Sequence, residues 1–247
     1  MIALRSLLYQ ILFLPWTLAI ALAFLPFLAF AQRSRLQQAA VLWLTGAHFL
    51  QRRILGLDYE VRGLENLPAG AAILAVKHQS AWDTMVFHHL VGDPAFILKK
   101  ELLSLPLIGW YMGRSGQVPI DRKAGMKALR LMVEGARQAI AESRKVIIFP
   151  EGHRQPPGSA GTYHSGVAML YAGLNVPVVP IALNSGLFWR RNAFLRYPGK
   201  ITLEILQPIP AGLERRPFMD LLQNQIETAT RALEAEARRN FTNLPPS

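Results

Sequence analysis

The order of apolar and polar positions divides the chain into an oily front and an alternating remainder. Leu7 to Ala31, LLYQILFLPWTLAIALAFLPFLAFA, runs 25 residues without a charge, which reaches the ~20 residues a helix needs to cross a bilayer core. Pro15 and Pro26 interrupt it; proline removes a backbone N–H and crowds the preceding turn, so a bent span and a re-entrant hairpin fit equally. A signal peptide is the rival reading, because Arg5 precedes the run and AFAQ at 29–32 resembles a small-residue cleavage site. The run exceeds the ~7–15 apolar residues of a signal core, which favours a retained anchor. Next, Leu36, Ala40, Trp43, Leu44, Ala47 and Leu50 recur at helical spacing between arginines. They predict an amphipathic helix suited either to a lipid interface or to packing on a globular core.

From Tyr59 onward, strand and helix signals alternate. Apolar runs of strand length are AAILAV (71–76), AFIL (95–98), QVPI (117–120), KVIIF (145–149), VPVVPIAL (176–183) and ITLEIL (201–206). Helical stripes fit 123–143, through Leu129, Met132, Val133, Ala136 and Ile140, and 217–239, through Phe218, Leu222, Ile226, Ala229, Leu233 and Ala237. Such alternation predicts an α/β domain with a mixed, largely parallel sheet flanked by helices. The expected division is an anchoring segment over 1–57 and a catalytic domain over 58–247, with the TNLPPS tail frayed.

Composition sharpens this picture. Half the residues are hydrophobic (51%), only 17% are charged, and 27 basic residues against 16 acidic give a formal charge of +11. The oiliness suits a membrane-facing part, and the basic excess suits anionic partners. Arg33, Arg35, Arg52 and Arg53 follow the apolar run, against Arg5 alone before it, so the positive-inside bias puts the C-terminal bulk in the cytoplasm. There is no cysteine, which excludes disulfides, thiolate metal sites and an acyl-cysteine intermediate. Nucleic-acid binding would explain the charge but not the membrane-length run, and the aromatic–basic interleaving of RNA modules is missing.

Three predicted strands deliver titratable residues just past their C-terminal ends: AAILAV into Lys77-His78, QVPI into Asp121-Arg122, and VIIF into PEGHR, Pro150 to Arg154. That edge is where open α/β sheets bind ligands. His78 and Asp83 stand five apart, about 140° around a continuous helix, so they meet only if His78 lies in a turn and a helix begins near Ser80 or Ala81. Ser80 to Asp83 also fits the S-x-x-[DE] capping pattern, the bland reading of Asp83. Both readings set a helix N-terminus beside His78, whose dipole would help keep the imidazole neutral. Arginine clasps phosphate through two parallel hydrogen bonds, so Arg122 and Arg154 beside Glu151 and Gly152 point to an anionic substrate. Lys99 and Lys100, after AFIL, could add charge to the same pocket. His48, His88, His89 and His153 read as structural or tolerated positions. Ser80 lacks the G-x-S-x-G context of a nucleophile, and no metal-ligand spacing is visible.

Four blocks in order, HQSAWD, GQVPIDR, FPEGHR and VPVVPIAL, span His78 to Leu183. In these blocks the chain resembles the glycerolipid acyltransferases, most closely the lysophosphatidic acid acyltransferases, whose blocks are H-x4-D, G-x-x-x-I-D-R, F-P-E-G-T-R and a proline-containing apolar strand. It departs from them at His153, where threonine is usual, at Pro119, where an aromatic residue is common, and at His164, where lysine is frequent. The resemblance implies a membrane-bound enzyme moving an acyl group from acyl-CoA or acyl carrier protein to the sn-2 hydroxyl of lysophosphatidic acid. His78 would be the base and Asp83 its orienting acid. Asp121, Arg122, Glu151, Gly152 and Arg154, with Lys99 and Lys100, would bind substrate. No cofactor or metal is implied beyond the thioester co-substrate. The partners implied are membrane lipids and the donor, on the cytoplasmic face of the membrane. Another lysolipid acceptor, such as a lyso-ornithine lipid or a lysophospholipid, is the alternative. A non-catalytic membrane adaptor is the reading from another class, and it leaves His78 and Asp83 without a purpose.

Overall fold

The computed structural model describes residues 1–30 and 33–245. The AFAQ motif and the end of the TNLPPS tail lie in part outside the described residues. The helices are α1 (Ile2–Phe24), α2 (Phe27–Phe30), α3 (Arg33–Leu50), α4 (Phe87–Val91), α5 (Ile108–Arg114), α6 (Gly125–Ala141), α7 (Ser165–Leu174), α8 (Ser185–Phe188) and α9 (Arg215–Asn240). The strands are β1 (Leu57–Arg62), β2 (Ile73–Val76), β3 (Ala95–Lys99), β4 (Val118–Ile120), β5 (Val146–Ile148), β6 (Val178–Leu183) and β7 (Gly199–Ile205).

One seven-stranded sheet orders them β1-β7-β6-β2-β5-β3-β4. From β6 to β4 all neighbours are parallel, β7 runs antiparallel to β6, and β1 lies parallel to β7. This is the mixed, largely parallel sheet the alternation predicts. The central strand β2 is buried throughout, and its period of two sends Leu74 and Val76 into one core layer and Ile73 and Ala75 into the other. The first layer includes α1, α3 and α8; the second is filled by α6, α7 and the front of α9. All six predicted apolar runs contain a strand. β1, LDYEVR, escapes prediction because Asp58, Glu60 and Arg62 alternate along a half-buried edge, so no apolar run marks it.

The front of the chain is built into this frame. α1 passes unbroken through Pro15, and the chain breaks at Pro26, between α1 and α2. At ~1.5 Å per residue the 23 residues of α1 measure about 34 Å. Leu4, Leu7, Leu8, Ile11, Leu12, Leu14, Leu18 and Leu22 along it are all exposed. A helix this apolar and this uncovered fits a membrane anchor. Its other face docks on α3, where Trp16 Nε1 donates to Trp43 O and Trp43 Nε1 to Thr17 Oγ1, both at 2.9 Å. A side chain at Gly46 would overlap the Trp16 ring. Tyr9 is buried in the first core layer, and Arg5 Nε donates to Ile54 O at 2.7 Å. In α3, Leu36, Leu44 and Ala47 are buried, so the helix packs on the core and leaves Leu42 and Phe49 outside.

His48 of α3 sits with ring centroids 4.9 Å from Tyr59 and 5.3 Å from His89, and His88 packs on Phe96. Burial, reinforced by the neighbouring His89, pushes His48 and His88 from the ordinary 6.5 down to about 4. Both therefore stay uncharged in the fold down to about 4, while the unfolded chain takes up the second ring proton below 6.5, so stability falls as pH drops from 6.5 toward 4. Each histidine contributes a slope of about 1.4 kcal/mol per pH unit inside that window. Urea unfolding near pH 7 and near pH 5 reads this directly: the midpoint falls, and His48→Phe with His88→Phe flattens the fall. An unchanged midpoint contradicts it.

Candidate active site

β2, β4 and β5 are parallel members of one sheet, so their C-terminal ends share an edge. That edge opens on a cavity of about 1090 Å³, lined by His78, Phe149, Pro150, Gly152, Arg122 and Arg154. Its far wall comes from α1, α3, α5 and α6, through Ala21, Trp43, Tyr111 and Met132 among others.

His78 lies in the turn after β2 with its side chain 13% exposed, and its ring stacks on Phe149 with centroids 4.0 Å apart. His78 Nδ1 lies 2.9 Å from Asp83 Oδ2. The same oxygen accepts the backbone N–H groups of Gln79 at 2.7 Å and Ser80 at 2.8 Å, while Asp83 Oδ1 accepts the Ser185 hydroxyl. A carboxylate has only lone pairs to offer, so Nδ1 carries the proton and Nε2 is left as the basic nitrogen. The capping pattern is met in part: Asp83 accepts Ser80 N, and Ser80 Oγ accepts Trp82 N at 3.1 Å, while the N-cap position falls on Ala81. The capped element is a 3-10 turn over Trp82–Thr84, and α4 begins only at Phe87. The helix N-terminus expected beside His78 is therefore a three-residue turn, which carries little aligned dipole.

Glu151 requires a larger correction. It is fully buried and outside the cavity lining, with Oε1 accepting Lys77 Nζ at 2.6 Å and Oε2 accepting His78 N at 2.9 Å. Lys77, also fully buried, donates to Glu227 Oε1 at 2.8 Å and to Ser159 O at 2.9 Å. Tyr163 Oη donates to that same Glu227 oxygen at 3.0 Å. Burial pushes the Glu151 carboxyl up, and the Lys77 ammonium pulls it back. Glu151 thus holds the His78 backbone from beneath. A second buried carboxylate of α9, Glu234, accepts Gln79 Nε2 at 2.6 Å and Gly158 N at 2.9 Å.

Asp121 and Lys100 also lie outside the lining. Asp121 caps the turn Arg122–Ala124 by accepting Lys123 N at 3.0 Å, and Lys100 approaches its carboxylate at 3.9 Å across the surface. Lys99, Arg122, Gly152 and Arg154 do line the cavity. Gly152 has φ +68, and a Cβ there would stand 3.0 Å from the His164 ring and 3.4 Å from Arg122 Nη1. The guanidinium and the imidazole can close over this turn only because it is glycine. Gln155 N donates to His78 O at 2.8 Å, joining the two motif loops. Sequence reasoning missed Arg191, which lines the cavity and donates to Arg154 O at 3.3 Å. It also missed Ser185, Lys77, Glu227 and Glu234 as supports.

A histidine paired with a carboxylate at the rim of an apolar cavity that three arginines also line can serve proton transfer on an anionic, largely apolar molecule. The family model described as "Acyltransferase" matches residues 58–184. A 1-acyl-sn-glycerol-3-phosphate acyltransferase from Pseudomonas aeruginosa is 34% identical over 208 residues, covering 82% of this chain and 79% of that protein. The human 1-acyl-sn-glycerol-3-phosphate acyltransferase alpha is 29% identical over 230 residues, covering 90% and 80%. The crystal structure of the 1-acyl-sn-glycerophosphate (LPA) acyltransferase PlsC from Thermotoga maritima superposes with a TM-score of 0.73 at 24% identity, over 95% of this chain and 100% of that one. That likeness is one of fold, while the family match and the Pseudomonas relative carry the assignment. The chain belongs to the acyltransferase family.

Proposed function

We propose that the protein acylates the free sn-2 hydroxyl of lysophosphatidic acid from a thioester donor, acyl-CoA or acyl carrier protein, giving phosphatidic acid for phospholipid biosynthesis. The observation that carries this reading is the His78–Asp83 pair opening on an apolar cavity beside Arg122, Arg154 and Arg191. His78 Nε2 takes the hydroxyl proton as that oxygen bonds to the thioester carbonyl carbon. The tetrahedral intermediate then collapses, the C–S bond breaks, and the imidazolium returns the proton to the departing thiolate. Asp83 fixes the tautomer and stabilises the positive imidazolium in between. The arginines hold the acceptor phosphate, with Lys99 adding charge. α1 remains attached as the anchor and keeps the site against the cytoplasmic leaflet, where both lipid acceptor and lipid product reside.

Because the chain has no cysteine, a thiol-reactive dye reports the released coenzyme A thiol without protein background. With lysophosphatidic acid and acyl-CoA we expect thiol release matched by phosphatidic acid in the mass spectrum. A panel in which only a phosphate-free lysolipid is acylated would overturn the acceptor assignment, and no release with any donor or acceptor would favour the adaptor. Arg154→Ala should raise the acceptor KM roughly tenfold to a hundredfold at little change in kcat, the scale of one charge-assisted hydrogen bond of about 1.5–3 kcal/mol. Unaltered acceptor kinetics in that variant would remove Arg154 from the phosphate site.

A further inference from the structure

The segment from the end of β3 through α5 carries exposed apolar side chains. Leu105, Ile108 and Trp110 are 46%, 47% and 52% exposed, beside Pro106 and ahead of Arg114. α5 has two faces: Ile108, Tyr111 and Met112 line the cavity, while Trp110 stands outside it. The turn that presents these residues is strained. Leu107 has φ 61 and ψ −71, and Ile108 N donates to Pro106 O at 2.7 Å, a γ-turn of positive φ. A non-glycine residue in that region costs ~1–3 kcal/mol, and strain of this kind persists where the surroundings impose it, often at functional segments.

This corner adjoins the exposed face of the anchor. Tyr111 Oη donates to Ala21 O near the end of α1 at 2.6 Å, and α2, with Phe27 52% exposed, packs against α5. Leu22 at the end of α1, Phe27 of α2 and Trp110 of α5 therefore stand exposed on elements that touch one another. Lys99 and Lys100 before the corner and Arg114 after it in the chain are all exposed. Large uncovered apolar patches mark interaction sites. Tryptophan above an apolar neighbour, edged with basic residues, is the composition of a surface that sits in lipid headgroups.

We propose that the Leu105–Trp110 corner is a second membrane-docking element that enters the same anionic leaflet as α1. It makes α5 a cavity wall with lipid on its outer side, so the cavity opens at the depth of the acyl chains, whatever acceptor it takes. The test uses the absence of cysteine. The full chain bearing a single cysteine, Leu105→Cys or Trp110→Cys, is nitroxide-labelled and bound to vesicles of phosphatidylcholine with phosphatidylglycerol. Leu14→Cys on α1 and Ala232→Cys on the exposed face of α9 serve as references. Collisions with oxygen, which concentrates in the bilayer, are compared with collisions with a water-soluble nickel complex. Labels at 105 and 110 should lose nickel accessibility and gain oxygen accessibility on vesicle binding, while the label at 232 keeps its aqueous values. Aqueous values at both 105 and 110 overturn the proposal, whether or not the label at 14 is immersed.

Discussion

His78→Ala should abolish acyl transfer while leaving the protein folded. Among the described residues, the ring is the one base that the cavity holds in contact with an orienting carboxylate, and positioned base catalysis is worth ~10²–10⁴-fold in rate. At about 1.4 kcal/mol per factor of ten, that is roughly 3–5 kcal/mol of transition-state stabilisation. What the fold loses is small: the stacking contact on Phe149 and the Nδ1 bond to Asp83, whose Oδ2 keeps the N–H groups of Gln79 and Ser80. The His78 backbone bonds to Glu151 and Gln155 are made by main-chain atoms and stay. Asp83→Asn should be milder in geometry and still severe in rate. An asparagine oxygen can occupy the position of Asp83 Oδ2 and keep the bonds from Nδ1, Gln79 N and Ser80 N, with its amide group toward the Ser185 hydroxyl. The tautomer survives, and the negative charge that balances the imidazolium is gone. Single-turnover thiol release beside a thermal melt measures both quantities. If His78→Ala keeps more than about a tenth of the wild-type rate, below the least effect expected of a base, the imidazole is not the base.

The parts of this site that can be read in the sequence are those made by one turn of chain. His78 and Asp83 are five residues apart, and only one local conformation lets them meet, so the pattern carries its own geometry. The buried strands are legible for a related reason: β2, β5 and β6 are covered on both faces and read as continuous apolar runs. α7 escapes a periodicity reading because it is buried on nearly every side, through Gly166, Val167, Ala168, Leu170, Tyr171 and Leu174, and so shows no stripe. The supports under the histidine come from far away in the chain. Glu151, Ser185 and Glu227 reach Lys77 and Asp83 across separations of 74 to 150 residues, and nothing local announces such a meeting. One trace exists: Glu227 and Glu234 follow Ile226 and Leu233 in the apolar stripe of α9, a place where a carboxylate must find a buried partner. Glu151 is misplaced by its motif, because a motif states which residues recur together and burial decides which of them can touch a ligand.

Lys77→Met should be the most destabilising single change near the site. Its ammonium lies between the carboxylates of Glu151 and Glu227, at 2.6 and 2.8 Å, with all three side chains buried. Removing one partner of a buried ion pair costs ~3–5 kcal/mol, because the remaining charge has neither water nor a counter-ion. Here two carboxylates would face each other. Glu227→Gln runs the other way: its amide oxygen can still accept from Lys77 and Tyr163, and the remaining Lys77–Glu151 pair is electrically balanced. It should therefore change stability by no more than about 1 kcal/mol, the net worth of a single hydrogen bond. Glu151→Gln separates support from substrate contact. Its amide cannot accept from both Lys77 and His78 N, so the histidine loosens and kcat falls, while the acceptor KM stays at the wild-type value. Urea unfolding orders the three variants, and acceptor kinetics on Glu151→Gln decides the role. An acceptor KM that rises in Glu151→Gln as it does in Arg154→Ala would return Glu151 to the binding surface and break the argument from burial.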